Sequence, residues 1–284
     1  MRSTPRSTHR RADVIQDEAP RRYFDGERPP PEPFAEHVLA LWTFDVDIPE
    51  GESALHTMWP DGCVSVSIVA SNGAPAAAHV IGPRLRALRA PMRRGLVVRG
   101  MRLWPDTAAS VLGVDPVAVR DLTRPAAEVL GFGALTLARA VARARDEAEL
   151  ETVWEAWLAP RIAAATLPDP DVRFVVRRLI DSDGTCDIAA AAREAGISMR
   201  SLERRFSAAV GLSPRQFARV RRVRAAIGAI AAGERAVSSL ARHAGLEPAS
   251  FTREFRGVAG IAPQALMTQL DQLEHPNRPG ISAS

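Results

Sequence analysis

The side chains in the N-terminal half that could support metal or acid–base chemistry are three histidines and one aspartate. His37, His56, His79 and Asp61 lie in the first 80 residues. The histidines lack the close His-x-His spacing typical of a metal site in a β-rich domain. We therefore predict structural roles for these four side chains, with no metal site, no cofactor and no catalytic residue.

The two cysteines, Cys63 and Cys186, are the candidates for thiol chemistry. Neither belongs to a CxxC or Cys/His cluster, which excludes a disulfide scaffold and a structural zinc site. Both are interpreted as small apolar residues. Two alternatives stay open: an enzyme with its active site in the N-terminal region, and a DNA-repair protein that acts through Cys63 or Cys186 and uses its helices as a DNA anchor.

Arginine is the most unevenly distributed residue type. All 37 basic residues are arginine, and the formal net charge is +4. Residues 1–170 hold 20 Arg and 22 acidic residues, whereas residues 171–270 hold 16 Arg and 9 acidic residues. A basic C-terminal region joined to a near-neutral N-terminal one indicates a polyanionic partner for the former.

Length and composition limit the class of protein. A chain of 284 residues predicts two domains or one large one, and 46% apolar with 25% charged residues excludes wholesale disorder. No run of about 18 uncharged apolar residues is present, so no membrane span is expected. The N-terminus lacks the apolar segment of a secretory signal, and we predict a cytoplasmic protein.

The elements that must position these side chains divide into a β-rich and a helical part, which predicts an α+β protein. Residues 1–32 are predicted to form a disordered tail, and residues 33–134 a β-rich sensory domain. Within it, Leu55–Trp59 and Cys63–Val69 flank an Asp-Gly pair, which favours a hairpin. Further strands are expected at Val80–Ile81, Leu85–Leu88 and Leu96–Trp104.

The chain becomes helical in pattern after Pro105. We predict a helical connector over 135–168, a helical domain over 169–275 and a tail over 276–284. Pro168-Asp169-Pro170 marks the boundary, where the charge balance also changes. Trp154 and Trp157 are expected either to pack within their own domain or to anchor a contact between domains or copies.

An internal repeat lies in the helical domain. The 28 residues from Asp187 match the 28 residues from Ala236 without gaps, at an offset of 49. Such a repeat predicts two copies of one supersecondary unit. The nine identical pairs are Ala192/Ala241, Arg193/Arg242, Ala195/Ala244, Gly196/Gly245, Ser201/Ser250, Arg204/Arg253, Phe206/Phe255, Gly211/Gly260 and Pro214/Pro263.

Each copy has the pattern of a helix-turn-helix. A short helix ends at Gly196 or Gly245, where a left-handed cap suits glycine. Ser198 can cap the next helix, in which apolar residues four apart share one face. The opposite face then carries arginine and faces outward, as the second helix of a DNA-reading unit does. The alternative is a plain αα-hairpin, which the second copy makes less favoured.

The stretch AREAGISMRSLERRFSAAVGLSPRQFARVRRVRAA resembles the DNA-binding domain of the AraC/XylS family of bacterial transcription regulators. The resemblance covers 171–275 and implies two helix-turn-helix units joined by one long helix, here from Pro214 to about Ala232. That helix would set the two readers roughly one DNA turn apart. The implied function is a sequence-specific DNA-binding regulator rather than an enzyme, with double-stranded DNA as its partner.

The resemblance also implies which side chains contact DNA, namely the outward positions of each second helix. Arginine can pair with guanine, and glutamate can accept from cytosine. The second copy, GLEPASFTREF, departs from the family pattern and carries small outward side chains, so we expect it to contact mainly phosphates through Arg253 and Arg256. The DNA-contacting candidates are Arg200, Ser201, Glu203, Arg204, Ala249, Ser250, Thr252, Arg253 and Arg256.

The N-terminal region bears a fainter resemblance to the β-rich sensory domain of one AraC-type subfamily. The strings that carry it are WPDGCVSVSIV and GMRLWPDTAASVLGV. By analogy this domain would sense a small-molecule effector or support a homodimer. The candidate ligand-binding residues are Trp42, His56, Trp59 and Trp104, with packing in the core as the alternative for the tryptophans.

Overall fold

The N-terminal half is built on a six-stranded antiparallel sheet covered by a two-stranded one. The computed structural model describes residues 22–23, 28–48, 50–51, 53–71 and 73–274. The order in the large sheet is β1-β2-β7-β4-β5-β8, and β3 pairs with β6. The strands are β1 (Arg22–Tyr23), β2 (Val38–Asp47), β3 (Ser53–Met58), β4 (Ser65–Ser71), β5 (Ala74–Ile81), β6 (Leu88–Arg93), β7 (Leu96–Leu103) and β8 (Thr123–Pro125).

The Asp-Gly hairpin expected between β3 and β4 is wrong. The two strands do not pair, because β3 pairs with β6 whereas β4 pairs with β5 and β7. The turn at Asp61-Gly62 therefore carries the chain from the small sheet to the large one. The strand expected over Leu85–Leu88 is also wrong: β6 begins only at Leu88, and the residues before it pack on the C-terminal helices.

Alternation along β4 and β7 gives the large sheet two different faces. Val66, Ile68 and Met101 lie on one face and are fully buried under helices. Ser65, Ser67 and Arg102 point to the other face, toward the small sheet. Among the described residues of this half, the α-helices are α1 (Ala108–Leu112), α2 (Ala126–Leu130), α3 (Gly133–Arg143) and α4 (Glu147–Ala164).

The helices over 135–168 do not form a connector between domains. Leu137, Val141, Trp154 and Leu158 are buried in the same core as the large sheet, so α3 and α4 belong to the N-terminal unit. Their apolar faces need a partner, and the sheet supplies it. Trp154 accordingly packs within its own domain.

Part of the segment predicted as a disordered tail has an ordered position. Arg22 and Tyr23 pair with the end of β2, and Arg28 exchanges two backbone hydrogen bonds with Leu41. A 3-10 helix follows at Glu32–Phe34. Residues 1–21 and the predicted tail over 276–284 lie outside the described residues.

Over residues 169–274, seven helices form the C-terminal half and enclose two small cores. One core contains Phe206 and Phe217 and the other Phe251 and Phe255, and helix α8 contributes to both. The helices are α5 (Pro170–Asp181), α6 (Ile188–Glu194), α7 (Met199–Val210), α8 (Pro214–Ala231), α9 (Val237–His243), α10 (Pro248–Ala259) and α11 (Pro263–Glu274). None of the helices in the described ranges is long and apolar enough to cross a bilayer.

Two helix-turn-helix units are present, α6–α7 and α9–α10, at the positions of the sequence repeat. Gly196 and Gly245 follow the first helix of each unit with φ of 73° and 67°, the left-handed conformation that glycine adopts most readily. The hydroxyl of Ser198 accepts the Ser201 N–H at 3.2 Å, as expected for an N-cap. The 18-residue helix α8 is about 27 Å long at 1.5 Å per residue and joins the two units.

The two halves are in direct contact around the Asp61-Gly62 turn. A Cβ added to Gly62, whose φ is +77°, would lie 2.5 Å from the Phe217 ring of α8, so the turn packs closely on that helix. Beyond this turn, the Arg177 guanidinium stacks 3.4 Å from the centre of the Trp104 ring. Arg173 Nε donates to the buried Asp106 carboxylate at 2.9 Å.

Candidate nucleic-acid interface

Helix α7 presents a polar face to solvent because its large apolar side chains are buried in the core on the other side. Leu202 and Phe206 are 0% exposed. On the opposite side Arg200, Glu203 and Arg204 are exposed, whereas Ser201 is half-buried next to the cap. This face can offer two guanidinium donors and one carboxylate acceptor to a groove.

Arg205 of α7, which is not among the predicted DNA-contacting residues, attaches this helix to the start of α5. Arg205 Nε donates to Asp169 Oδ2 at 2.6 Å, and its Nη2 donates to Asp171 Oδ2 at 2.9 Å. Asp169 also caps α5 by accepting the Val172 N–H. Burial opposes ionisation of Asp169, but the Arg205 hydrogen bond and these backbone donors hold its pKa below the ordinary value.

Helix α10 has the same buried side but a less polar outer side. Phe251 and Phe255 are 0% exposed, and Arg253 and Arg256 are exposed together with the methyl group of Ala249. The small hydroxyls of this helix make local hydrogen bonds. Thr252 Oγ1 donates to the Pro248 carbonyl at 2.9 Å, and Ser250 Oγ accepts from Arg253 at 3.1 Å.

The two units are tied together by one arginine of α8. Arg222 donates through Nε and Nη2 to the two carboxylate oxygens of Glu254 in α10, at 2.9 and 3.0 Å. Its Nη1 donates to the carbonyl of Gly184, just before the first unit, at 2.8 Å. Both Arg222 and Glu254 are more than four-fifths buried. A bidentate pair in this environment fixes relative position as well as adding stability.

A cavity of about 560 Å³ lies between the two sheets of the N-terminal half. Three of the four candidate ligand-binding residues, Trp42, His56 and Trp59, line it. Trp104 does not. Its Nε1 donates to the Ala35 carbonyl at 2.8 Å, and its ring carries Arg177 at the contact between the two halves.

The structure shows the surroundings of the cysteines and histidines that were considered for thiol or metal chemistry. Burial raises the pKa of the Cys63 thiol well above its usual range, which disfavours the reactive thiolate. Cys186 is half-buried before α6. Burial lowers the pKa of both His37 and His79. Within the described ranges, no three His, Cys, Asp or Glu side chains come together as a metal-binding group.

Comparison with known families matches two parts of the chain. Residues 191–269 match a helix-turn-helix domain, and residues 26–124 match DUF6597, a domain of unknown function. The first match covers most of both repeat copies and the helix between them. The C-terminal region is an AraC-type helix-turn-helix domain. Domains of this type bind DNA in transcription regulators.

Solved structures of ToxT from Vibrio cholerae are similar to this chain. A structure at 1.65 Å resolution is 12% identical with a TM-score of 0.42, covering 77% of this chain and 98% of that one. An apo variant is 12% identical with a TM-score of 0.41, covering 90% and 99%. A structure with a bound unsaturated fatty acid is 11% identical with a TM-score of 0.38, covering 77% and 95%. No curated protein matches this chain.

The sequence pointed to the outer faces of the AraC-type domain but missed the polar lining of the cavity. Ser65, Ser67 and Arg102 all line it and are at most 9% exposed. A signal is present in β4, where Ser65 and Ser67 alternate with Val66 and Ile68. This alternation is typical of a half-buried strand, and a second sheet over the polar face leaves no trace in β4 itself.

Proposed function

We propose that this protein is a sequence-specific, DNA-binding transcription regulator in which the first helix-turn-helix unit reads bases and the second mainly contacts phosphates. The observation that carries the proposal is the difference between the outer faces of α7 and α10. Each unit is built on the same buried frame, but only α7 exposes long side chains with both donor and acceptor chemistry. Regulators of this kind need specificity as well as affinity.

The first unit has the groups required for direct readout. Arg200 and Arg204 lie one turn apart on α7 and can each form a bidentate pair with the O6 and N7 atoms of guanine. Glu203, on the same face, can accept from the N4 amino group of cytosine. Ser201, near the N-terminus of the helix, is placed to contact a phosphate.

The second unit has the groups required for backbone contact. Arg253 and Arg256 are exposed and can neutralise phosphates, which adds salt-dependent affinity without sequence preference. Ala249 can offer only apolar contact, and Ser250 and Thr252 already make local hydrogen bonds. The packing of α3 and α4 on the large sheet supports a boundary between the sensory unit and the DNA-binding unit near residues 168–169.

The cavity between the sheets supports control of DNA binding by a small molecule. Its volume lies in the range of sites that enclose drug-sized ligands. Trp42, His56 and Trp59 are the effector-contacting residues under this proposal. Trp104 is assigned instead to the contact between the two halves.

Selection of binding sites from a randomised pool of duplexes tests the proposed function. The full-length chain is expected to enrich one sequence, and Arg204→Ala should weaken binding to that sequence by about 1–3 kcal/mol while binding to random duplex changes little. Arg139→Ala removes an exposed arginine from α3 and is the matched control, expected to leave both affinities unchanged. Failure to enrich any sequence, or an equal loss on random duplex for Arg204→Ala, would refute base reading by α7.

A further inference from the structure

The cavity between the sheets has one apolar and one polar wall. On the apolar side, the rings of Trp42, Phe44 and Trp59 and the side chains of Met58 and Leu88 line it. The Trp42 ring lies directly against Gly100 of β7, where any Cβ would overlap it. The His56 imidazole lies 5.2 Å from the Phe44 ring. These flat surfaces suit an aromatic or fused-ring body.

The polar wall is formed by β4 and β5, on the face of the large sheet that points away from the helices. Trp42 and Phe44 of β2 lie on this same face. Ser67 and His79 are directly opposite each other in the β4–β5 register, so their side chains share this face. Ser65 lies two residues before Ser67 on the same face. Burial lowers the pKa of His79, which keeps its imidazole neutral at pH 7. This wall therefore offers hydrogen bonds from neutral groups.

The formal charges of the cavity lining balance. Its described residues include two arginines and two aspartates. Arg102 forms an ion pair with Asp61, and both side chains are at most 14% exposed. Arg84 donates to the Asp121 carbonyl at 3.1 Å and to Thr123 Oγ1 at 2.6 Å, while the Asp121 carboxylate accepts the Leu85 N–H at 2.8 Å. Among the residues that line the cavity, a charged ligand would lose its hydration without meeting a net charge of opposite sign.

We propose that this cavity binds an uncharged, largely apolar aromatic small molecule whose polar group hydrogen-bonds to Ser65, Ser67 or His79. The proposal rests on the proposed function in one respect, because it names the chemical class of the effector. All residues that line the site belong to the N-terminal unit. A ligand anion that approached Arg102 would have to compete with Asp61, which already pairs with this arginine.

Two segments that line the cavity also contact the DNA-binding domain. Trp59 packs in the core of the second unit, and Gly62 in the same turn lies on Phe217 of α8. Leu85 packs on the core of the first unit, and the Ala87 N–H donates to the Val258 carbonyl of α10 at 2.8 Å. Ligand binding can therefore bias how both units are held. By linkage, DNA must then change the affinity for the ligand by the same factor.

Two fluorescent probes with the same ring system test the charge preference. N-phenyl-1-naphthylamine is uncharged, and 8-anilino-1-naphthalenesulfonate differs from it by one sulfonate. Both are titrated into the full-length chain at pH 7.5. The site-specific part of each signal is the part lost in Ala90→Phe, which fills the cavity, and kept in Ala148→Phe, the same change at an exposed position of α4.

We expect the uncharged probe to bind this site at least tenfold more tightly than the sulfonate. Asp61→Asn raises the net charge of the lining by one and should shift the ratio toward the sulfonate at least fivefold, with an intact thermal transition as the check on folding. Equal or tighter binding of the sulfonate to the unaltered chain overturns the proposal. Absence of an Ala90→Phe-sensitive signal for both probes also overturns it.

DNA binding is measured separately, so the two proposals fail independently. If the chain enriches a DNA sequence but does not bind the uncharged probe, only the effector inference fails. If the probe binds but no sequence is enriched, the proposed function fails while the ligand site stands. The expected link is a change of at least threefold in affinity for the enriched duplex when the uncharged probe saturates the site, and no change in Ala90→Phe.

Discussion

The two helix-turn-helix units share a frame of buried apolar residues but expose different side chains to solvent. Arg205 of α7 and Glu254 of α10 occupy equivalent positions, 49 residues apart. Arg205 attaches α7 to the start of α5, and Glu254 attaches α10 to α8. Their charges are opposite, and so are those of their partners, Asp169 and Arg222. The two units therefore place an anchoring side chain at the same position, but its residue type and charge differ.

The outward positions changed without disturbing that frame. Arg200 and Glu203 of the first unit correspond to Ala249 and Thr252 of the second, whereas Arg204 corresponds to Arg253. Exposed side chains carry little of the packing energy, so these positions differ between the copies while the buried Phe206/Phe255 pair is identical. In each unit, folding and DNA reading therefore depend on different faces of the same helix.

The largest predicted effect tests whether the two frames are equivalent. Phe206→Ala and Phe255→Ala should each lower the free energy of unfolding by about 3–5 kcal/mol, because both rings are fully buried. Chemical denaturation of the full-length chain measures this. A loss below 1 kcal/mol for one of them would mean that the two units are not packed alike.

The next effect concerns the link between the units. Arg222→Ala should lower the free energy of unfolding by about 2–3 kcal/mol, since it leaves Glu254 and the Gly184 carbonyl without their charged donor. It should also weaken binding to a duplex that engages both units more than binding to a half-site. Arg215→Ala, at an exposed position of the same helix, is the control for stability. Equal loss on both duplexes would argue against a spacing role.

The DNA contacts of the two units should respond differently to loss of equivalent arginines. Arg204→Ala is expected to cost about 1–3 kcal/mol on the preferred sequence alone. Arg253→Ala should weaken binding to all duplexes similarly and reduce the slope of log K against log salt by about 0.9, the value for one phosphate contact. Anisotropy titrations at several salt concentrations separate the two patterns. Identical patterns would remove the proposed division of roles.

The frame of these units could be predicted from the sequence because its signals are local. Glycine turns, the Ser198 cap and apolar residues four apart each act within a few residues, and the repeat presents the glycine turn and the apolar pair twice. The anchors Arg205 and Arg222 were missed because their partners lie more than 30 positions away in the chain. Arginine in a helix gives no sign of whether it pairs internally or faces solvent.

In the N-terminal half, contacts between residues distant in sequence limit prediction even more strongly. The alternation in β4 predicted a strand, but the identity of its partners depends on long-range pairing, so the hairpin at Asp61-Gly62 was wrong. The positive φ of Gly62 is a local property of the Asp-Gly dipeptide and could be expected from the sequence. The contact of Gly62 with Phe217 forms only when the two halves of the protein pack together.

The smallest predicted effect is a pH dependence of the α7 anchor. The pKa of Asp169 is lowered in the folded protein, so its ion pair contributes stability above the unfolded value of 3.8 and loses it as the pH falls through the folded pKa. Asp169→Asn keeps a capping side chain and should cost less than about 1 kcal/mol at pH 7. Denaturation at pH 7 and near pH 3 should show the difference shrinking. A difference that grows at low pH would contradict the assignment.

Hydroxyl-radical footprinting of the full-length chain on its enriched duplex shows whether both units engage DNA. We expect two protected backbone segments on one face of the DNA, about 10–10.5 base pairs apart, with base preference concentrated in the segment whose protection Arg204→Ala removes. A single protected segment, or two segments with equal base preference that respond equally to Arg204→Ala and Arg253→Ala, would contradict this expectation.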